Sequence, residues 1–92
     1  MSLSAQRTVV ICNKRGLHAR AAARFVKLAE TFASEVTVTR RDQSVSGRSI
    51  MGLMMLAAVP GASIDIEAKG EDAETAVAAL ATLVERRFDE DA

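Results

Sequence analysis

Glu35-Val36-Thr37-Val38-Thr39-Arg40-Arg41-Asp42-Gln43-Ser44-Val45-Ser46-Gly47-Arg48 is the stretch that decides the fold. From Glu35 to Arg40 the chain alternates, with Val36 and Val38 on one face and Thr37, Thr39 and charged residues on the other. That is the period of a half-buried strand. Arg41-Asp42-Gln43 marks a turn, and Ser44-Val45-Ser46-Gly47-Arg48 reads as a short return strand. So short a connection joins two strands as an antiparallel hairpin.

Toward the N-terminus, Ala22, Phe25, Val26, Ala29, Phe32 and Ala33 recur at spacings of three and four. The pattern predicts a helix over about residues 19–33 with one broad apolar stripe. Arg20, Arg24, Lys27 and Glu30 fall largely on its other side. Asn13-Lys14-Arg15-Gly16 breaks the chain before it as a loop. The β-branched run Thr8-Val9-Val10-Ile11-Cys12 reads as the first strand, and residues 1–5 as a frayed, polar start.

Toward the C-terminus, Ser49 can cap a short helix over residues 50–57, and Pro60-Gly61 punctuates the chain after it. Ser63-Ile64-Asp65-Ile66-Glu67-Ala68 alternates again and is the fourth strand. After a turn at Lys69-Gly70-Glu71, Asp72 is the expected cap of a last helix over residues 73–88. Ala76, Val77, Leu80, Leu83 and Val84 form that helix's apolar face, and Asp89-Glu90-Asp91-Ala92 is expected to be a solvated acidic tail. The order β-α-β-β-α-β-α predicts an α+β fold: a two-layer, open-faced sandwich of a four-stranded antiparallel sheet with three helices on one face. Val9, Ile11, Val36, Val38, Ile64, Ile66, Leu80 and Val84 should face inward.

Ninety-two residues suit a single domain over residues 1–92, with an ordered part expected at about 7–88. Such a domain buries roughly 60–65% of its unfolded surface. With no Trp or Tyr and three Phe, its core must be aliphatic and rich in alanine. No apolar run approaches a transmembrane span, and Arg7 with a short apolar stretch after it gives no signal peptide pattern. The single Cys12 excludes a disulfide framework, zinc ribbons and CxxC redox sites, and fits a reducing, cytoplasmic setting. At the end of a buried strand, Cys12 reads as a small core thiol. Net charge is zero, but residues 1–50 hold nine Lys/Arg and three Asp/Glu, and residues 51–92 the reverse. The basic half lacks Tyr and Trp for base stacking, so it suits an anion or an acidic protein partner better than nucleic acid.

His18 is the only histidine and sits where the loop meets the first helix. As N-cap it would face free backbone N–H groups and the positive end of the helix dipole, with Arg20 adding a full charge. Such a site binds phosphate, and a neutral ring there has a lone pair able to act as a nucleophile. The plain alternative is a polar surface residue near a helix start. No Asp or Glu lies within ten residues of His18, so a hydrolytic triad has no local support. In Ser49-Ile50-Met51-Gly52-Leu53-Met54-Met55-Leu56 the large apolar residues cannot all face the core. Leu53 and Leu56 suit the inward face, which leaves Ile50, Met51 and Met54 partly exposed as a docking surface, unless an enclosed helix or a dimer contact covers them. Ser49 is first a helix cap, and a phosphate there would be well placed at a helix start. No P-loop, GxGxxG or carboxylate cluster of metal-binding spacing occurs.

Gly16-Leu17-His18-Ala19-Arg20, followed by an alanine-rich helix, resembles the histidine phosphorylation motif of HPr, the phosphocarrier family of the phosphoenolpyruvate-dependent phosphotransferase system. Gly47-Arg48-Ser49-Ile50-Met51-Gly52-Leu53-Met54 is similar to that family's regulatory-serine segment, and the likeness runs from about Arg7 to Arg86. The resemblance implies a phosphoryl carrier and not an enzyme with its own catalytic cycle. His18 would take phosphate at Nδ1 from phosphorylated enzyme I and pass it to a IIA protein, with Arg20 contacting the phosphate. Ser49 would be the site of an HPr kinase/phosphorylase, and Ile50, Met51, Met54, Arg20 and Arg24 would meet enzyme I and IIA partners. A cytoplasmic monomer with no cofactor and no metal is expected. One departure is Ala21, where the family usually has proline; alanine keeps the helix and adds a free N–H. Two alternatives stay open: an HPr-like regulator acting in nitrogen or carbon signalling through protein contacts, and a small ferredoxin-like ligand-binding domain. The missing CxxC and second histidine count against metal carriage in the latter.

Overall fold

The period-two segments pair into one sheet. The computed structural model describes residues 3–90. Strands β1 (Ser4–Val10), β2 (Glu35–Arg40), β3 (Gln43–Ser46) and β4 (Ser63–Lys69) run antiparallel in the order β1-β4-β2-β3. Val9 stands opposite Ile64, and Val38 opposite Ile66, so inward residues form cross-strand pairs. Helices α1 (Ala19–Ala29), α2 (Ile50–Met55) and α3 (Ala73–Glu85) complete the open-faced α+β sandwich. α3 packs on β1 and β4, and α1 lies against α2 and α3. All eight residues expected to face inward are buried, together with Phe25, Leu53, Leu56 and Phe88.

Several boundaries differ from the sequence expectation, each for a local reason. β1 begins at Ser4, not Thr8, because β4 offers a partner along its whole length, to Lys69 opposite Ser4. Residues 3–5 are therefore ordered, while Met1 and Ser2 lie outside the described residues. β1 ends at Val10, which leaves Cys12 exposed and not in the core; its Sγ donates to the Val84 carbonyl at 3.5 Å. β3 starts at Gln43, paired with Arg40 across a turn in which Arg41 takes φ 59°. α1 stops at Ala29, since the amides of Thr31 and Phe32 bond three residues back, to Leu28 and Ala29, and tighten the last turn. α2 stops at Met55, and Ala57 turns the chain away at φ 50°.

Asp72 precedes α3 as expected but makes no capping bond. Its carboxylate reaches the far end of α1, accepting from the amides of Ala33 (2.8 Å) and Ser34 (2.9 Å) and from the Ser34 hydroxyl. The Ser34 hydroxyl and these amides hold the Asp72 carboxyl below its ordinary range against the desolvation that opposes them. α3 ends at Glu85, and Arg87, Phe88 and Asp89 all take positive φ, between 53° and 61°. Left-handed backbone costs a non-glycine residue roughly 1–2 kcal/mol. Here the turn buries the Phe88 side chain completely, which is worth roughly 1.5–3 kcal/mol and opposes that cost. An Arg86–Asp89 ion pair at 2.6 Å and a bond from the Arg24 guanidinium to the Phe88 carbonyl also hold it.

Among the described residues no helix is long and apolar enough to cross a membrane, and no group of three or more His, Cys, Asp or Glu could hold a metal ion.

Candidate functional site at the start of the first helix

Gly16 sets the approach to α1. It takes φ +67°, and a Cβ there would stand 2.6 Å from the Ala58 carbonyl oxygen. The Leu17 amide bonds that same carbonyl at 2.9 Å, so the loop is clamped to the segment after α2. Only glycine permits both the left-handed turn and this closeness. Leu17 is buried, and the next residue, His18, is the extended N-cap of α1.

His18 does not use its side chain as a cap. Its carbonyl accepts the first helical bond, from the Ala22 amide at 2.8 Å. The amides of Ala19, Arg20 and Ala21 have no hydrogen-bond partner among the described residues, and the first turn holds no acidic residue. Three free donors and the helix dipole therefore present positive potential beside the ring. Ala21 is one of the three, so alanine in place of proline adds a donor here. Arg20 is exposed and makes no side-chain bond or ion pair among the described residues. Arg24, one turn further, is engaged with the Phe88 carbonyl.

The His18 ring is partly exposed, at 23%. Its Nε2 is paired with the Glu90 carboxylate, and its Nδ1 has no partner among the described residues. Glu90 also accepts from Asn13 Nδ2 at 2.8 Å, and that same amide group donates to the Gly16 carbonyl at 2.8 Å. Because both partners are acceptors, the Asn13 amide must point its nitrogen at them. Its buried Oδ1 is left without a partner among the described residues, at a cost of roughly 1–3 kcal/mol. Burial pushes the Glu90 carboxyl up, but hydrogen bonds from Asn13 and His18, and the charges of His18 and Arg24, outweigh it and hold it below its ordinary range. Glu90 is thus no solvated tail residue, and an acidic group does face His18. Asp91 and Ala92, the rest of that tail, lie outside the described residues. Sequence reasoning seeks the acidic group nearby in the chain and misses it. The available signal is Phe88, a lone large apolar residue among charges, which anchors the chain end beside α1.

The second candidate element, α2, opens on Ser49. Its hydroxyl accepts from the Gly52 amide at 2.9 Å, the expected cap. Ile50, Met51 and Met54 are exposed, Met51 at 75%, while Leu53 and Leu56 are buried. Met55 and Val59 are exposed too and extend the patch toward the loop at Gly16, whose backbone lies against Val59.

Residues 5–86 match the family model described as "PTS HPr component phosphorylation site". The chain belongs to the HPr family. It is 48% identical over 85 residues to a phosphocarrier protein HPr of Neisseria meningitidis serogroup A, covering 92% of this chain and 96% of the relative. It is 44% identical over 85 residues to a phosphocarrier protein NPr of Shewanella violacea, covering 92% and 93%. The crystal structure of HPr-C-His from Thermoanaerobacter tengcongensis superposes with a TM-score of 0.91 at 41% identity, covering 96% of this chain and 99% of that one. As a member of the HPr family, the chain is a carrier protein of the phosphotransferase system and not a free-standing enzyme.

Proposed function

We propose that the protein accepts a phosphoryl group on His18 from phosphorylated enzyme I and passes it to IIA proteins of the phosphotransferase system. The observation that carries this reading is a ring nitrogen, Nδ1, without a partner among the described residues at an uncapped helix start. The Nδ1 lone pair attacks phosphorus, the N–P bond forms, and the bond from phosphorus to enzyme I breaks. The free amides of Ala19, Arg20 and Ala21 and the charge of Arg20 are suited to the phosphoryl oxygens, which bear the charge during transfer. Transfer onward reverses the step, returning the electron pair to Nδ1.

Ile50, Met51 and Met54, with Met55 and Val59, form the surface that enzyme I and IIA proteins would cover, and Arg20 and Arg24 of α1 are the candidate basic contacts. Ser49, at the head of this patch, is the candidate regulatory site for an HPr kinase/phosphorylase, because a phosphate there would set about two negative charges beside an apolar contact. In a second reading the same His18 chemistry serves nitrogen or carbon signalling; phosphocarrier proteins of both names, HPr and NPr, match this chain at similar identity. Both branches act in the cytoplasm, where phosphoenolpyruvate is available.

Incubation with enzyme I and phosphoenolpyruvate, then intact mass, tests the reading. One acid-labile phosphate is expected per chain, and its absence would refute a carrier role. Offering the phosphorylated protein to sugar-specific and regulatory IIA proteins then separates the two branches.

A further inference from the structure

Glu90 lies 72 positions from His18 in the chain, yet it takes the ring's Nε2. Three features put it there, and one of them, the pairing with Asn13, does nothing to close the core. Asn13 is completely buried and gives Glu90 one of its two N–H donors while its own Oδ1 goes unpaired among the described residues. Arg87, Phe88 and Asp89 adopt left-handed backbone that returns the chain end to α1. Arg24 fastens that turn by its bond to the Phe88 carbonyl. The turn is accounted for by the burial of Phe88, but the unpaired buried oxygen of Asn13 is not; its amide is spent on placing a carboxylate on a chosen side of the ring.

We propose that Glu90, oriented by Asn13, is the positioning residue of the site: it accepts the Nε2–H and so holds the neutral ring in the tautomer whose lone pair is on Nδ1. This deepens the reading of His18 as phosphoryl acceptor and rests on it. A carboxylate accepts only, so the nitrogen facing it must carry the proton. Nδ1 is then left as the nucleophile, on the ring atom without a partner. When the N–P bond forms, no proton has to leave. The ring keeps its Nε2–H and becomes cationic, and the Glu90 carboxylate offsets that charge. When phosphate departs, the N–P bond breaks, the electron pair returns to Nδ1, and the same proton is still on Nε2. The charged group acting on the pair from α1 is Arg24; Arg20, two residues after His18, is exposed.

The test labels the histidine ring with ¹⁵N and reads the unphosphorylated, full-length protein at a pH where the imidazole is neutral. The native protein should show one tautomer, Nε2 protonated and Nδ1 bare, with an Nε2 proton slow to exchange. Glu90→Ala should give a mixture of tautomers and fast exchange, with kcat for phosphate uptake from enzyme I about ten-fold lower and KM little changed. Glu90→Gln, which keeps an acceptor oxygen, should recover part of both. Melting temperature checks that the variants are folded. If Glu90→Ala leaves the ¹⁵N spectrum and the uptake rate as they were, the proposal is overturned while His18 remains a phosphoryl acceptor. Failure of the native protein to take phosphate would instead strike the carrier reading, since the spectrum is recorded without phosphate.

Discussion

Two helices of this protein begin in opposite ways. At α2 the Ser49 hydroxyl folds back on the Gly52 amide and closes the terminus. At α1 the His18 side chain makes no such bond; its ring turns to Glu90, and the amides of Ala19, Arg20 and Ala21 stay open among the described residues. A capping side chain is typically worth about 1 kcal/mol, which α2 gains and α1 forgoes. The six-residue α2 is too short to hold itself without tertiary support, so its cap serves stability. The eleven-residue α1 buries Ala21, Ala22, Phe25, Val26 and Ala29 and is secure without one. Under the proposed function, what α1 gains by leaving its terminus open is a place for an anion.

Variants of the two capping residues should therefore fail in opposite ways. The largest effect is expected for His18→Ala: phosphate uptake from enzyme I should vanish in an intact-mass assay, while the melting temperature should fall less than for a lost cap, because only the pairing with Glu90 goes and no capping bond is lost. Phosphorylating Ser49 in vitro should come next. The fold should tolerate it, but apparent KM for the carrier should rise about ten-fold, as expected for loss of roughly 1–2 kcal/mol of apolar docking. Uptake at the unmodified rate across carrier concentrations would reduce Ser49 to a cap.

Ser49→Ala should be the mirror image of His18→Ala. Uptake should persist, while the lost cap lowers stability by about 1 kcal/mol and the melting temperature by about 4–8 °C. A His18→Ala variant equally destabilised would erase the distinction between the two termini. The smallest effect concerns acid. The Glu90 carboxyl sits lower in the folded chain than in the unfolded one, so its contribution is fully present above the ordinary glutamate value of about 4.3. It is lost as pH falls through the lower, folded value. Protection of the amides at residues 86–90, taken relative to their intrinsic exchange rates, should fall in that acid window before the sheet responds.

The sheet is legible in the sequence because alternation is a local signal: Val36, Val38, Ile64 and Ile66 declare their faces within a few residues. Both helix starts that the proposed function uses, at His18 and Ser49, are legible for the same reason, as is the apolar excess on α2. Helix ends are not, since a bond such as Thr31 to Leu28 depends on where the chain must go next. Asp72 reads as a cap and instead ties Ser34, because its partner comes from beyond another helix. Glu90 lies furthest out of reach. Its pairing with His18 depends on the left-handed turn at Phe88 and on Asn13, and no sequence period encodes either.

If the open terminus of α1 and the ring held beside it serve phosphate, then His18 Nδ1 is the atom that carries it. Phosphorus–nitrogen coupling in the ¹⁵N-histidine-labelled protein, phosphorylated by enzyme I and phosphoenolpyruvate, measures this directly. The predicted spectrum has phosphorus bonded to Nδ1 of His18 with a proton on Nε2. Phosphorus on Nε2, or on any other residue, would contradict it.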